Sequence, residues 1–598
     1  MIFNILLSFS FIYGMFQISL KLNDIYFKEN NPVVTSIIFS FIIALIYTFT
    51  VYTFILDLKT YFVSFFISII LITFAFFKYK EILRIFKSYF NFKGNKNEIL
   101  YKIIVLVLIF YIFSIFLPVS DIDSLRYHLE IPNLIKNDLF FKNYSVDYIT
   151  IGATEFINLF GLNLNFEHSS SLINVTFLII ITFVNDHLYN QYKLGSNYYG
   201  TLAILASPYL VSVCTSQKLF ILPCYILIYS LIYLRHFNSI NRKIHYLIAA
   251  TLPFTISIKF IFAPFVFMIY LYHIYFTKKI NDKFLISLIY ILSFLIFYFP
   301  IFYLKYKVFG EPFIPLTVIN LENLDWYLNF KKYLINYDYQ LTLNNLFFYP
   351  IKLIYPLTVQ FDKFIPNSFE YAEVKLFDIS QIFKLIGIGV IYIFFIEKKG
   401  FNNYIILTVL IVCFLSINNL QNRWFLPILF YCAFYYNFKK NRFNNIFKFG
   451  LILQSIFIFF ALLITSSLSI YGNFLNKNKI LEHIAYGYKF SKELERNYPE
   501  KKIFSFIETN YYLTNTIPLY KYDIITKIDK NYFKAKVDNQ DSFILVGDSK
   551  AFYNNLDKIF NTKNFRILRK QVFDQTFSGR FFANKSSKKI FLYEIILD

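Results

Sequence analysis

Long apolar runs alternate with short polar segments along most of the 598-residue chain. A helix needs about 20 apolar residues to cross a hydrocarbon core that is about 30 Å thick. About fourteen runs approach this length, at residues 2–20, 34–56, 60–78, 100–118, 169–186, 199–213, 219–235, 244–258, 260–276, 284–304, 379–396, 403–418, 424–438 and 449–468. The pattern predicts an all-α polytopic membrane protein with about 14 transmembrane helices.

Basic residues concentrate in the short segments between the apolar runs. With the predicted spans, five of these segments fall on one side of the membrane, and Lys and Arg are enriched in cytoplasmic loops. The basic residues are Lys78, Lys80, Arg84, Lys87, Lys93, Lys96, Arg235, Arg242, Lys243, Lys278, Lys279, Lys283, Lys398, Lys399, Lys439, Lys440, Arg442 and Lys448. We therefore expect this side to face the cytoplasm.

Three longer polar regions then lie on the extracytoplasmic side, and they divide the chain into six predicted parts. The last region contains strand-like runs at 502–507, 543–546 and 590–596, and helix-like stretches near 477–496 and 549–560. It is predicted to be a small α/β domain. The parts are N-terminal spans 1–118, a first outer loop 119–168, spans 169–304, a second outer loop 305–378, C-terminal spans 379–468 and the tail domain 469–598.

Composition agrees with this class and excludes several others. Hydrophobic residues make up 57% of the chain and charged residues 16%, against roughly 25% charged in a soluble domain. An ordinary cytosolic enzyme, a disordered chain and a disulfide scaffold are therefore excluded. The net charge of +22 belongs largely to the interhelical loops, so we predict membrane lipids as partners and no nucleic acid. The four cysteines lack metal-ligand spacing and are interpreted as small core residues.

The first outer loop opens with a cluster of ionisable residues. Its sequence is Asp-Ile-Asp-Ser-Leu-Arg-Tyr-His-Leu-Glu-Ile-Pro, from Asp121 to Pro132, directly after an apolar run. Asp121 and Asp123, followed by Tyr127 and His128, can accept a proton, hold a divalent metal or orient a hydroxyl group. A purely structural interpretation is a helix capped by Asp123 or Ser124, with Arg126 and Glu130 as a solvated ion pair.

Three cations lie at span ends on the predicted outer side, where few are expected. Lys218 lies in a short turn, Lys259 interrupts the apolar stretch from 244 to 276, and Arg423 precedes the span at 424–438. Snorkelling of the lysines and pairing of Arg423 with a loop acid would explain each cation separately. A shared site for an anionic headgroup explains all three together, and we prefer this interpretation.

The acidic segment resembles the first outer loop of GT-C glycosyltransferases, relatives of the protein O-mannosyltransferases and aminoarabinose transferases. Many bacterial members have the pattern D-A-L-x-Y-H-L-x-x-P, which places the family Asp at Asp123. Lys259 resembles a lysine common in the family, the segment 310–315 (GEPFIP) its G-N-P-x-x-P loop, and the segment 421–427 (QNRWFLP) its R-Y-L-x-P segment. The chain departs from the family at Ser124, where better-studied members have Glu, and the turn at Gln217-Lys218 lacks an acidic residue.

The resemblance implies an enzyme of the bacterial inner membrane that makes cell-envelope glycans. It implies a polyprenyl-phosphate-linked sugar as donor, a glycan, lipid or protein as acceptor, and inverting transfer on the extracytoplasmic face. Asp123 would be the base, with Asp121 as a substitute for the second carboxylate. Substrate binding would then fall to Tyr127, His128, Lys218, Lys259 and Arg423.

Three questions stay open at the level of the sequence. A transporter or flippase of lipid-linked sugars also accounts for the spans and an outward anion site. A glycan polymerase or ligase would use the same donor. No cofactor is specified by a motif, although Asp121, Asp123 and His128 leave room for a divalent metal.

Overall fold

The fold is a computed structural model. It describes the chain except residues 1, 30, 78–97, 142–145, 194–197, 238–240, 313–340, 357, 362–370, 376–378, 396–401, 418, 437–443, 475, 486, 500, 506–510, 513–515, 519–541, 548–564, 578–585 and 598. Its Cα positions divide into two compact units. The first unit comprises Met1–Leu117, Gly152–Ile301 and Tyr337–Ile470, and the second comprises Pro118–Ile151, Phe302–Asn336 and Tyr471–Asp598.

Helices make up most of the described residues. The α-helices are α1 (Ile2–Leu22), α2 (Pro32–Ile55), α3 (Thr60–Phe77), α4 (Glu98–Ser114), α5 (Glu130–Lys136), α6 (Ala153–Asn163), α7 (Ser169–Tyr192), α8 (Tyr198–Leu205), α9 (Pro208–Cys214), α10 (Ile221–His236), α11 (Arg242–Thr251), α12 (Phe254–Ile258), α13 (Ala263–Phe276), α14 (Ile280–Phe309), α15 (Leu343–Ile354), α16 (Asn402–Ser416), α17 (Leu426–Tyr435), α18 (Asn444–Phe474), α19 (Lys477–Ile484) and α20 (Tyr488–Asn497).

Part of the predicted set of spans corresponds to long apolar helices. Within the described residues, four helical stretches are long and apolar enough to span a bilayer: Pro32–Ile55, Ser169–Tyr192, Ile280–Phe309 and Asn445–Gly472. Shorter apolar helices occupy several other predicted spans. The mostly helical character of the chain is therefore confirmed, and these helices are compatible with a membrane protein, whereas the count of 14 spans is not confirmed.

Helices α2 and α14 differ strongly in burial. Most of α2 is buried, and its Tyr47 hydroxyl donates to the carbonyl of Phe297 at 2.7 Å. By contrast, α14 exposes Ile291 and Leu295, at 58% and 49% of their surface. Exposed aliphatic side chains along a long apolar helix are what a lipid-facing surface requires.

The predicted span at 379–396 is not an α-helix. Two 3-10 helices, Ile379–Lys384 and Ile388–Phe395, occupy it instead. Gly387 between them has a φ of +90°, a conformation that favours glycine. The amide of Gln454 fills the break, because it accepts from the N–H of Ile388 at 2.8 Å and donates to the carbonyl of Ala206 at 2.7 Å. A tertiary contact thus replaces the regular helix.

The second unit contains a mixed five-stranded sheet. Its strands, in the order β4-β3-β5-β7-β6, pair in parallel among β3, β4 and β5 and antiparallel among β5, β6 and β7. A separate hairpin of β1 and β2 lies in residues assigned to the first unit. The strands are β1 (Thr358–Phe361), β2 (Tyr371–Lys375), β3 (Ile503–Ser505), β4 (Thr516–Pro518), β5 (Phe543–Gly547), β6 (Phe565–Phe577) and β7 (Ser586–Leu597).

The small α/β character of the tail agrees with its sequence pattern. Helix α20 packs Phe490 and Leu494 against Ile544, Val546 and Leu592 of the sheet. Strands lie at all three predicted places, whereas β4 and β6 have no counterpart in the prediction. The predicted tail helix at 549–560 lies outside the described residues, as do three basic loop segments, 78–97, 398–399 and 439–442.

Candidate functional site

Lys259 lies at a break in an apolar helical stretch. Helix α12 ends at Ile258, and Lys259 is extended, with φ and ψ of −154° and 126°, before a 3-10 turn leads into α13. Gly152 packs against this break, because a Cβ there would lie 2.8 Å from the carbonyl oxygen of Ser257 and 2.9 Å from that of Ile258. The close approach of the α6 N-terminus therefore helps to fix the position of Lys259.

Arg423 lies on the 3-10 turn Asn422–Phe425, directly before α17. The side chain of Asn422 ties this turn to two other segments, because it donates to the carbonyls of Lys352 at 3.2 Å and Lys384 at 2.8 Å. Trp424 follows with only 4% of its surface exposed. The turn thus holds a half-buried guanidinium group beside a buried indole ring.

Lys259 and Arg423 meet around one aromatic pair, formed by Phe220 and Trp424. The two rings are 5.5 Å apart and edge-to-face. Nζ of Lys259 lies 5.4 Å from the Phe220 centroid and 5.9 Å from the Trp424 centroid. Cζ of Arg423 lies 5.8 Å and 4.6 Å from the same two centroids. Two of the three predicted outward cations therefore share a site within the first unit.

Two hydrogen-bond donors in this basic cluster are buried without an acceptor. Neither Nε of Arg423 nor Nε1 of Trp424 has a hydrogen-bond partner among the residues that the structure describes. A buried polar group left without a partner costs about 1–3 kcal/mol. Cations packed against aromatic faces also repel each other. Bound anionic oxygens would relieve both penalties, so the cluster has the chemistry of an anion site.

Lys218 is placed by the turn between α9 and α10. Its side chain is half-buried, and its carbonyl oxygen accepts a hydrogen bond of 2.6 Å from Nδ2 of Asn174. Phe220 is only two residues further along the chain, so the same turn supplies Lys218 and one ring of the aromatic pair. Participation of the Lys218 ammonium group in the basic cluster stays a prediction.

Asp121 and Asp123 have different local roles in the second unit. Oδ2 of Asp121 accepts from the backbone N–H of Ser124 at 3.0 Å and from the Ser124 hydroxyl at 2.8 Å. Asp121 thus caps the helical segment that follows, rather than Asp123 or Ser124 as the structural interpretation predicted. Asp123 has helical backbone angles, no side-chain hydrogen bond that caps this segment, and a half-buried side chain.

The acidic segment continues into a π-helical turn, Ser124–His128, in which the N–H of Leu129 donates to the carbonyl of Ser124 at 2.9 Å. Such turns are rare and frequently occur at functional sites. Tyr127 is half-buried and His128 buried, with their rings 4.3 Å apart. Glu130 is only 5% exposed, so it is not the solvated group that the structural interpretation expected, whereas its pairing with Arg126 stays a prediction.

The described residues contain no group of three or more His, Cys, Asp and Glu side chains that could hold a metal ion. The suggested divalent site at Asp121, Asp123 and His128 therefore has no structural support. One carboxylate oxygen of Asp121 instead accepts the two hydrogen bonds from Ser124.

Sequence reasoning missed residues whose importance depends on burial. Trp424 is one of only two tryptophans and directly follows an outward arginine, a signal that was available. Asn174 lies inside an apolar run, where polar residues often have a specific role. Glu155 is 1% exposed, and its Oε2 accepts from the N–H of Gly152 at 2.7 Å. Nothing in its sequence context indicates such complete burial.

The segment 310–315, compared above with a family loop, is described only in part. Gly310 has a φ of +71°, which suits glycine at the end of α14. Residues 313–315 lie outside the described part of the chain.

Comparison of the chain with protein-family models, curated proteins and solved structures finds no match.

Proposed function

We propose that the chain is a membrane glycosyltransferase that moves a sugar from a polyprenyl-phosphate-linked donor to a glycan, lipid or protein acceptor on the extracytoplasmic face. The proposal depends on one observation: Lys259 and Arg423 pack on a single aromatic pair, and the buried N–H of its Trp424 ring lacks an acceptor among the described residues. This combination suits a phosphate group, because phosphate oxygens accept hydrogen bonds and carry the compensating charge. The apolar helices around the cluster suit a donor that arrives through the bilayer.

In the proposed reaction, Asp123 removes the proton from an acceptor hydroxyl group while that oxygen attacks C1 of the sugar. The bond between C1 and the phosphate oxygen breaks with inversion, and the lipid phosphate leaves with the electron pair. Lys259 and Arg423 stabilise the negative charge that develops on this leaving group, with Lys218 as the third candidate. A well-placed donor of this kind contributes about 3–4 kcal/mol to the transition state.

The assignment of the acidic segment and the basic cluster to one reaction comes from the sequence resemblance. The two belong to different units, and their roles are supported by different observations. For Asp123, the support is its position in the family-like motif and the use of Asp121 as a cap. For the cations, the support is the geometry around Phe220 and Trp424.

A transporter of lipid-linked sugars is the second candidate, and one observation favours it. The helical stretch around Lys259 is broken at the charged residue, and discontinuous helices with ionisable groups at the break are common in transporters. The enzyme remains the preferred proposal because the acidic segment needs a role as well, and general-base catalysis supplies one.

The decisive experiment incubates purified protein with labelled polyprenyl-phosphate sugars and identifies the products. We expect release of the lipid phosphate and appearance of a glycoside. Arg423→Gln and Lys259→Met should each lower this release by about 10²–10³-fold, whereas Lys448→Gln should retain it, because the ring over which Lys448 lies is that of Tyr199. Movement of intact donor across proteoliposomes without bond cleavage would instead establish the transporter.

A further inference from the structure

We propose that Asn174 is a positioning residue that holds the turn of Lys218 and Phe220 in the shape required to bind a lipid phosphate. This inference rests on the proposed function, since it assigns the lipid phosphate to the basic cluster. It concerns a buried amide on α7, a helix that supplies none of the cations.

The side chain of Asn174 is fully buried and uses both ends of its amide on the turn. Nδ2 donates to the carbonyl of Lys218 at 2.6 Å and approaches the carbonyl of Val213 at 3.4 Å. Oδ1 accepts from the backbone N–H groups of Phe220 and Ile221, at 3.3 Å and 3.2 Å. One side chain thus binds the backbone on both sides of Leu219, and it fixes the point at which α10 begins.

Neighbouring polar side chains extend this contact along the turn. Ser171 donates to the carbonyl of Ser216 at 2.9 Å and accepts from Nε2 of Gln217, also at 2.9 Å. Asn158, on α6, donates to the carbonyl of Gln217 at 3.1 Å. Consecutive backbone groups of the turn are therefore held by side chains, which specify its conformation more narrowly than apolar packing does.

The same contacts determine which groups are left for an anion. Helix N-termini commonly bind phosphate through their first N–H groups. Here Oδ1 of Asn174 already accepts from Phe220 and Ile221 at the start of α10. Fewer backbone N–H groups are then left for a phosphate, which favours binding by side chains. Both Lys218 and the Phe220 ring take their positions from the turn that Asn174 holds. Displacement of the turn would move Phe220 away from Lys259 and Arg423.

The test follows ligand binding through the fluorescence of Trp424. The chain has two tryptophans, Trp326 and Trp424, so a Trp326→Phe background leaves one indole, at the cluster. Decaprenyl phosphate is titrated into the full-length protein in detergent, with uncharged decaprenol as the ligand control. Asn174→Leu removes the side-chain hydrogen bonds to the turn and keeps the side-chain volume nearly constant. Asn185→Leu is the matched variant, because Asn185 is another buried amide on α7 that binds Thr201 and Tyr229 instead.

We expect Asn174→Leu to weaken decaprenyl phosphate binding about tenfold, a change of about 1.4 kcal/mol, while Asn185→Leu binds as the parent does. Hydrogen exchange at the amides of Phe220 and Ile221 should accelerate only in Asn174→Leu. In the transfer assay, Asn174→Leu should raise the KM for the donor more than it lowers kcat. If Asn174 only stabilised the fold, Asn174→Leu and Asn185→Leu would not differ in this way in phosphate affinity and in the KM for the donor.

The remaining outcomes overturn either this inference or the proposed function. Equal phosphate affinities for Asn174→Leu and Asn185→Leu would reject the positioning role and leave the proposed function intact. Unchanged amide hydrogen exchange at Phe220 and Ile221 in Asn174→Leu would show that Asn174 does not hold the turn. If the parent binds decaprenyl phosphate no better than decaprenol, the anion site is rejected, and the role of Asn174 in phosphate binding is rejected with it.

Discussion

Lys259 and Arg423 lie over the same indole ring, with Nζ of Lys259 5.9 Å and Cζ of Arg423 4.6 Å from the Trp424 centroid. The two residues are 164 positions apart in the chain, on the break before α13 and the turn before α17. An aromatic face attracts each cation by about 0.5–2 kcal/mol, but it does not reduce the repulsion between them. An anion bound beside the pair would reduce this repulsion.

Removal of either charge should weaken binding of the anion more than it weakens the fold. We expect Lys259→Met and Arg423→Gln each to lower transfer by about 10²–10³-fold, the usual effect of losing one oxyanion donor. In the double variant, the two losses should not add fully, because both residues act on one group. Fully additive losses would indicate two separate sites, and steady-state kinetics with labelled donor distinguishes these results.

Trp424→Phe should separate the role of the indole N–H from that of the ring. The variant keeps an aromatic face for Arg423 and removes the buried donor that lacks an acceptor among the described residues. Because such a donor destabilises the unliganded protein, we expect its thermal stability to stay the same or rise. The increase in stability caused by decaprenyl phosphate should shrink, since one hydrogen bond to the phosphate is lost. An undiminished increase would remove Trp424 from the binding site.

Asp121 and Asp123 should respond differently to the same chemical change. Asparagine caps helices about as well as aspartate, so Asp121→Asn should retain stability and most of the transfer activity. Asp121→Ala should lower the free energy of unfolding by about 1 kcal/mol. Asp123→Asn should abolish transfer with little effect on stability, because it removes the base. Equal loss of activity in Asp121→Asn and Asp123→Asn would place both carboxylates in the chemistry.

Gly152→Ala should disturb the Lys259 break through the backbone. An added Cβ would press on the carbonyls of Ser257 and Ile258, and overpacking of this kind costs about 1–3 kcal/mol. We expect lower thermal stability and weaker decaprenyl phosphate binding. Gly450→Ala is the control, because its nearest neighbour is the tip of the Ile388 side chain, at 3.1 Å. Normal phosphate binding in Gly152→Ala would show that Lys259 does not depend on this contact.

The predicted orientation can be tested with thiol labelling, since all four natural cysteines are buried. Cysteine at the exposed positions Asp138 and Ser416 should react with a membrane-impermeant reagent applied from outside. Cysteine at the exposed Lys278 should react only after the membrane is opened. Labelling of Asp138 and Ser416 at opposite surfaces would rule out a common extracytoplasmic site.

The local sequence pattern predicted where helices and strands lie more reliably than it predicted the type of helix or the partner of a strand. The apolar run at 379–396 has the composition of a span, yet Gly387 and the distant Gln454 divide it into two 3-10 helices. The strand-like run at 590–596 corresponds to β7, whereas its partner β6 was missed. Hydrophobicity is a property of each segment, but a pairing partner or an inserted side chain comes from elsewhere in the chain.

The candidate site was predictable in its charges and unpredictable in its contacts. Lys259 and Arg423 were conspicuous because a cation at the predicted outer end of an apolar run is energetically unfavourable. No comparable signal in the sequence indicated the aromatic pair that joins them. The same is true of the hydrogen bonds from Asn174 to the turn and of the burial of Glu155. Each depends on packing between helices that are far apart in sequence.

The sequence alone thus determined the mostly helical, apolar character of the chain, the α/β character of the tail and the residue types available for chemistry, because apolar length and charge placement are properties of each local segment. Only the tertiary structure decided that Lys259 and Arg423 share one indole ring, that Asp121 caps a helix and that Asn174 holds the turn of Phe220. These relationships are made by side chains meeting across the fold, and hydrophobic periodicity does not encode which surfaces meet.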